Sequence, residues 1–255
     1  MKSHDGFTEP RGLAVIDGRI FVADRAAHSV WELADGAKVP VAGTDRIGEN
    51  AIRPGPGLQT DLRSPWGLAP LGRALVIAMA GSHQLWALDP DSGMLSRVAG
   101  TGGEELGDGR PSAATLAQPT GLAPIGDDAM AFADCESSAV RVLDAQSVRT
   151  LVGTGLFHFG DRSGVGEAAL LQHCEDVAAW DGVLAVADTY NDRIKRVHPS
   201  TRECTPWPGE AGEAGSLREP AGLWSDGSAM IVCDTGHHRI ARVERDGTLV
   251  EIALS

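Results

Sequence analysis

Three histidines recur at one distance from an apolar run. His28 comes four residues after Asp24, His83 four after Met79, and His238 four after Asp234. Imidazole is a ligand for zinc and related ions, so the three raise the question of a metal ring. A zinc site needs three or four ligands within ~2.0–2.3 Å of one point. Side chains at matching positions of separate repeats spread around a ring instead of converging, so these histidines are read as bonding to their own turns. Ser82 and His83 are adjacent in sequence, which does not make a nucleophile–base pair, and no Gly-x-Ser-x-Gly elbow occurs. The paired acids Glu104-Glu105 and Asp127-Asp128 read as solvated loop charge. Asp108-Gly109 and Asp161-Arg162-Ser163-Gly164 lack the spacing of a calcium loop and read as turns. Cys135, Cys174, Cys204 and Cys233 include no C-x-x-C pair, so they read as packing thiols. No catalytic residue, metal or cofactor is assigned.

Charge and composition narrow the classes. The formal net charge is -13, and the lysines are Lys2, Lys38 and Lys195 alone. Nucleic-acid affinity rests largely on cationic neutralisation of phosphates, so no nucleic-acid partner is expected. Anionic membrane surfaces are disfavoured for the same reason. No run approaches the ~18 apolar residues needed to span a bilayer. Met1-Lys2-Ser3-His4-Asp5-Gly6 has no apolar h-region. A cytoplasmic location with reduced thiols is the expectation.

The elements that must position these residues are announced by an internal repeat. Pro10-Arg11-Gly12-Leu13-Ala14 returns as Pro65-Trp66-Gly67-Leu68-Ala69, as Pro119-Thr120-Gly121-Leu122-Ala123 and as Pro220-Ala221-Gly222-Leu223-Trp224, with a degraded copy at Cys174-Glu175-Asp176-Val177-Ala178. A second anchor follows: Val22-Ala23-Asp24, Ile77-Ala78-Met79, Phe132-Ala133-Asp134, Val186-Ala187-Asp188 and Val232-Cys233-Asp234. A third places Val30, Leu85, Val140, Ile194 or Ile240 six residues beyond. Each unit reads as four short strands separated by turn residues such as Asp17-Gly18 and Asp181-Gly182. Repeats of this length with four strands are propeller blades. The expected fold is an all-β propeller, one domain over 1–255, with repeats at about 8–62, 63–117, 118–172, 173–218 and 219–255. The alanines of the first two anchors suit the crowded axis. The Asp ending each second strand is expected to accept N–H groups of the turn that follows.

These anchors resemble the NHL repeat family. The best matches are Val186-Ala187-Asp188-Thr189-Tyr190-Asn191-Asp192-Arg193-Ile194 and Val232-Cys233-Asp234-Thr235-Gly236-His237-His238-Arg239-Ile240. Residues 77–86 and 155–161 are similar to the propeller part of NHL proteins that carry a thioredoxin-like domain upstream. No thioredoxin-like segment is visible here, so redox chemistry is not carried over. The resemblance implies six blades where five are visible, so closure needs an extra blade or a partner. Trp224 stands where the four other blades have Ala, which points to an unusual neighbour for the last blade.

Lactonase-type propellers hold calcium at the axis, an ion that wants ~6–8 oxygens. The position between Pro and Gly holds Arg11, Trp66, Thr120, Glu175 and Ala221, with one carboxylate among them, so that site is not expected. The turns after the second strands, with the long loops 45–64, 102–118 and 155–173, should share one face. A protein or peptide partner is expected there around Trp66, His83, Tyr190 and His237, because Tyr and Trp supply large contact area at low entropic cost. The reading is a non-catalytic scaffold for a basic or neutral partner. The alternative is a metal-dependent hydrolase or lyase of the lactonase-like type.

Overall fold

The computed structural model describes residues 6–49, 52–207, 217–225 and 227–252. The reading of Met1–Asp5 and the turn residue Asp226 lie outside them. Five antiparallel sheets follow one another along the chain. Blade 1 is β1 (Pro10–Ile16), β2 (Arg19–Asp24), β3 (Ser29–Ala34) and β4 (Ala37–Ala42). The next linker carries β5 (Gly55–Pro56), ahead of blade 2: β6 (Pro65–Leu71), β7 (Ala74–Met79), β8 (Gln84–Leu88) and β9 (Met94–Ala99). Blade 3 is β10 (Pro119–Ile125), β11 (Ala129–Asp134), β12 (Ala139–Leu143) and β13 (Val148–Val152). The linker strand β14 (Gly164–Val165) precedes blade 4: β15 (Asp176–Trp180), β16 (Val183–Asp188), β17 (Arg193–Val197) and β18 (Glu203–Pro206). Blade 5 is β19 (Pro220–Ser225), β20 (Met230–Asp234), β21 (Arg239–Val243) and β22 (Leu249–Ile252).

The first strand of each blade is innermost, and each packs on the first strand of the next, β1 on β6, β6 on β10, β10 on β15 and β15 on β19. Glycine makes this approach possible. A Cβ on Gly12 would strike the Trp66 carbonyl oxygen, and one on Gly67 the Thr120 carbonyl oxygen. In blade 4 the equivalent residue is Asp176, whose Oδ2 instead accepts the N–H of Leu223 at 2.7 Å from blade 5. Apolar residues fill the spaces between neighbouring blades. Ala14, Phe21, Ala23 and Val30 of blade 1 meet Leu68, Leu75 and Ile77 of blade 2, all buried.

The Asp that ends four of the five second strands clamps a segment besides the expected one. Asp134 Oδ1 accepts the N–H of Ala117 at 2.8 Å, Asp188 that of Gln172 at 2.7 Å, and Asp234 that of Arg218 at 2.7 Å. These donors lie before the blade's own first strand, because the antiparallel pairing of strands one and two brings their far ends together. Three of these Asp residues also reach the following turn: Asp24 accepts the backbone N–H of Ala27 at 3.3 Å, Asp188 accepts the side-chain amide N–H of Asn191 at 2.8 Å, and Asp234 Oδ2 lies 3.0 Å from His237 Nδ1.

Candidate functional site

After each of the last four second strands comes a three-residue 3-10 turn, and it ends in a left-handed residue: His83 (φ 55°), Ser138 (φ 50°), Asp192 (φ 56°) or His238 (φ 55°). His28 (φ 51°) holds the same place in blade 1. Small polar residues and His tolerate this region best. Four of the five side chains reach the next blade and do not bond to their own turns as expected for the histidines. Ser64 N–H donates to His28 Nδ1 at 3.1 Å, and Gln118 N–H to His83 Nδ1 at 3.2 Å. His173 N–H donates to Ser138 Oγ at 3.0 Å, and Glu219 N–H to Asp192 Oδ1 at 2.8 Å. This is a blade-to-blade latch, and it gives His83 a structural task. An acceptor Nδ1 must be unprotonated; burial, then Arg25 and Arg63, hold the His28 pKa below its ordinary value. Among the described residues no group of three or more His, Cys, Asp or Glu is placed to hold a metal.

The other three candidate residues lie at the same end of the molecule, on separate blades. Trp66, half-buried on β6, has two guanidinium groups against its ring, Arg11 at 4.6 Å and Arg25 at 5.3 Å from the ring centre, both also paired with Glu9. Tyr190 is exposed in its turn and stacks on His173, with ring centres 4.6 Å apart and planes 6° from parallel. His173 in turn faces Glu136 at 3.3 Å. His237 is exposed, with Nδ1 3.0 Å from Asp234 Oδ2. Trp66 alone of the four lines the central cavity of about 620 Å³.

The mouth of that cavity carries Arg11 and Glu175 from the repeat position between Pro and Gly, and beside them Asp176, which spacing alone did not single out. Arg11 approaches Glu175 at 3.9 Å across the channel. Burial raises the Glu175 pKa despite Arg11. Asp176, on the cavity wall, is pushed up to about 7 by burial, against the N–H groups of Leu223 and Val177 that favour its ionised form. Both its oxygens are thereby engaged with backbone, which fits an inter-blade brace.

The long loops depart from expectation. They run over the outer edges of the blades that follow them. Gly55 pairs with Leu95, Gly109 with Val148 and Gly164 with Cys204, each on a fourth strand. Covering an outer strand hides its unpaired backbone groups. The loop acids are engaged there: Asp108 takes the N–H and hydroxyl of Thr150 and faces the fully buried Arg141, and Asp161 binds Lys195 at 2.5 Å and Arg193 at 2.8 Å. The face is thus built from the short turns, the first-strand ends and the last residues of these loops, such as His173.

Comparison with known proteins agrees with this architecture. The NHL repeat family pattern matches residues 7–33. Human NHL repeat-containing protein 2 is 34% identical over 302 residues, covering 98% of this chain and 41% of that protein. Protein SUPPRESSOR OF QUENCHING 1, chloroplastic, of Arabidopsis thaliana is 33% identical over 265 residues, 93% of this chain and 25% of that protein. The chain therefore spans well under half the length of these relatives. Among solved structures, a streptogramin B lyase superposes with TM-score 0.61 at 14% identity, over 97% of this chain and 70% of that one. The nidogen/laminin complex gives TM-score 0.64 at 14% identity, over 96% and 78%. At such identity these two structures speak for the fold alone. No helix among the described residues is long and apolar enough to cross a membrane. The anchors, the blades they build and these relatives together place the chain in the NHL repeat family of β-propellers.

Proposed function

We propose that this chain is a non-catalytic interaction scaffold that binds a protein or peptide on the face carrying Trp66, His83, Tyr190 and His237. The observation that carries the reading is the cavity mouth, where Arg11 and Arg25 lie against the Trp66 ring and Arg11 approaches Glu175 at 3.9 Å. An aromatic ring with fixed cations and an anion beside it can take both apolar and polar parts of a peptide. The exposed stack of Tyr190 on His173 extends that surface. The net charge of -13 favours a basic or neutral partner. His83 acts indirectly, by fixing the blade that follows it. The lyase names among the structural neighbours suggest a competing enzymatic reading, but no specific observation favours it here.

The test is a pull-down with wild type and a Trp66→Ala, Tyr190→Ala double variant. Loss of a partner from a variant with unchanged melting supports the face. Retention of every partner by the folded variant counts against it. Elemental analysis separates the enzymatic reading: bound zinc or calcium, lost together with hydrolase or lyase turnover on chelation, would favour it.

A further inference from the structure

The five blades do not close. Leu13 of blade 1 is 63% exposed, whereas its equivalent Leu68 in blade 2 is 6% exposed. Val15, Ile20 and Leu33 lie on the same uncovered face of blade 1 and are exposed too. The opposite wall belongs to blade 5. Trp224 is 61% exposed and Cys233 is exposed, although Ala23, Ala78, Ala133 and Ala187, which occupy the Cys233 position in the other blades, are all 0% exposed. Gly222 has no atom of another blade within reach of an added Cβ, unlike Gly12, Gly67 and Gly121. The latch is open as well. Glu9 N–H, which in a closed ring would meet a preceding blade's left-handed residue, turns instead to Asp24 Oδ1 at 2.8 Å. The His238 ring has no hydrogen bond among the described residues and is exposed.

We propose that the cleft between blades 5 and 1 is a docking site for one four-stranded antiparallel sheet, apolar on both faces, that lies outside the described residues. Its lead-in N–H would bond to His238 Nδ1. The size follows from the relatives: the human alignment runs over 302 positions against a chain of 255, a difference close to one repeat. The occupant must cover both apolar walls at once. Blades 2, 3 and 4 are covered on both faces and blades 1 and 5 on one, so no described blade, of this copy or a second one, can cover both. A sheet of one blade is marginal alone in water, so it would order on docking, as a donated strand does. The cleft opens into the cavity that Trp66, Arg11 and Glu175 also line, but Cys233 labelling and the Trp66, Tyr190 pull-down read the two sites apart, so either can fail without the other.

Cys233 reports on the cleft. Cys135, Cys174 and Cys204 are buried, so an aromatic disulfide reagent should label one thiol quickly in the native protein. Absence of that fast thiol, from self-closure or from a dimer in light scattering, overturns the proposal. The probe is a further copy of residues 118–172 fused after Ser255, which supplies a two-faced blade at high effective concentration. Labelling of Cys233 should slow at least ~10-fold, and His238→Ala in the fused protein should recover part of the rate. A second fusion, of residues 63–117, guards against one appended blade failing to fold. Unchanged Cys233 labelling in both fusions overturns the proposal.

Discussion

Asp176 occupies the position that every other blade fills with glycine, and its carboxyl replaces close backbone contact with two accepted N–H bonds. Burial lifts its pKa to about 7, and that of Asp188 to about 6, the latter opposed by Asn191 and the Gln172 N–H. An acid whose folded pKa is raised contributes its full stability below the ordinary value of 3.8 and loses it as pH rises to the folded value. Asp176 and Asp188 should therefore each withdraw stability between pH 4 and 7, against His28, whose contribution grows over that range. Asp176 is half-buried beside the cavity, so water screens part of the effect, and a loss of about 2 kcal/mol from this residue is expected. Denaturant melts of wild type and Asp176→Asn across that range check it: the wild-type slope should flatten in the variant. Asp188→Ala removes the clamp on Gln172 N–H and should lower stability by about 1–3 kcal/mol in a thermal melt.

The latch works between elements. His83 and His238 are equivalent in sequence and conformation, yet one has a neighbouring blade to hold and the other has none. His83→Ala leaves the Gln118 N–H without its acceptor and should cost about 1–2 kcal/mol. His238→Ala should change stability by less than about 0.5 kcal/mol, because no bond is lost. Urea unfolding of the two variants decides it, and equal losses would refute the latch assignment. The His28 pKa is lowered, so its contribution is whole above its ordinary value of 6.5 and fades as pH falls below it.

An open ring leaves its end blades with one neighbour each, whereas the middle blade has two. Stability in repeat architectures is a sum of unit and nearest-neighbour terms, so the ends should open first. Hydrogen exchange should protect β11 and β12 most and β1, β2 and β21 least. Core substitutions should follow the same gradient. Leu68→Ala, between blades 1 and 2, should cost about 2–5 kcal/mol, and Leu13→Ala, on the open face, less than about 1 kcal/mol. Equal costs would mean that the cleft is closed in solution.

The blade count, the strand order and the crowded alanines were readable from the sequence, because a repeat writes each local constraint five times and its register averages out chance. Trp224 in an alanine's place pointed to an unusual neighbour for the last blade, and in the structure it is exposed. The side-chain partners were not readable. Asp24, Asp134, Asp188 and Asp234 look like turn caps in a linear reading, because a sequence shows the following residues and hides the segment brought alongside by strand pairing. The loop acids Asp108 and Asp161 read as turn residues for the same reason, although Arg141 and Lys195 are folded against them. Of the four proposed binding residues, sequence placed all at one end of the molecule, while only the assembled ring set Trp66 at the cavity and gave His83 to the latch. Local patterning fixes which residues form a blade; which charges and faces remain unpaired depends on how the blades pack around an axis, and that is decided by contacts between residues some fifty positions apart.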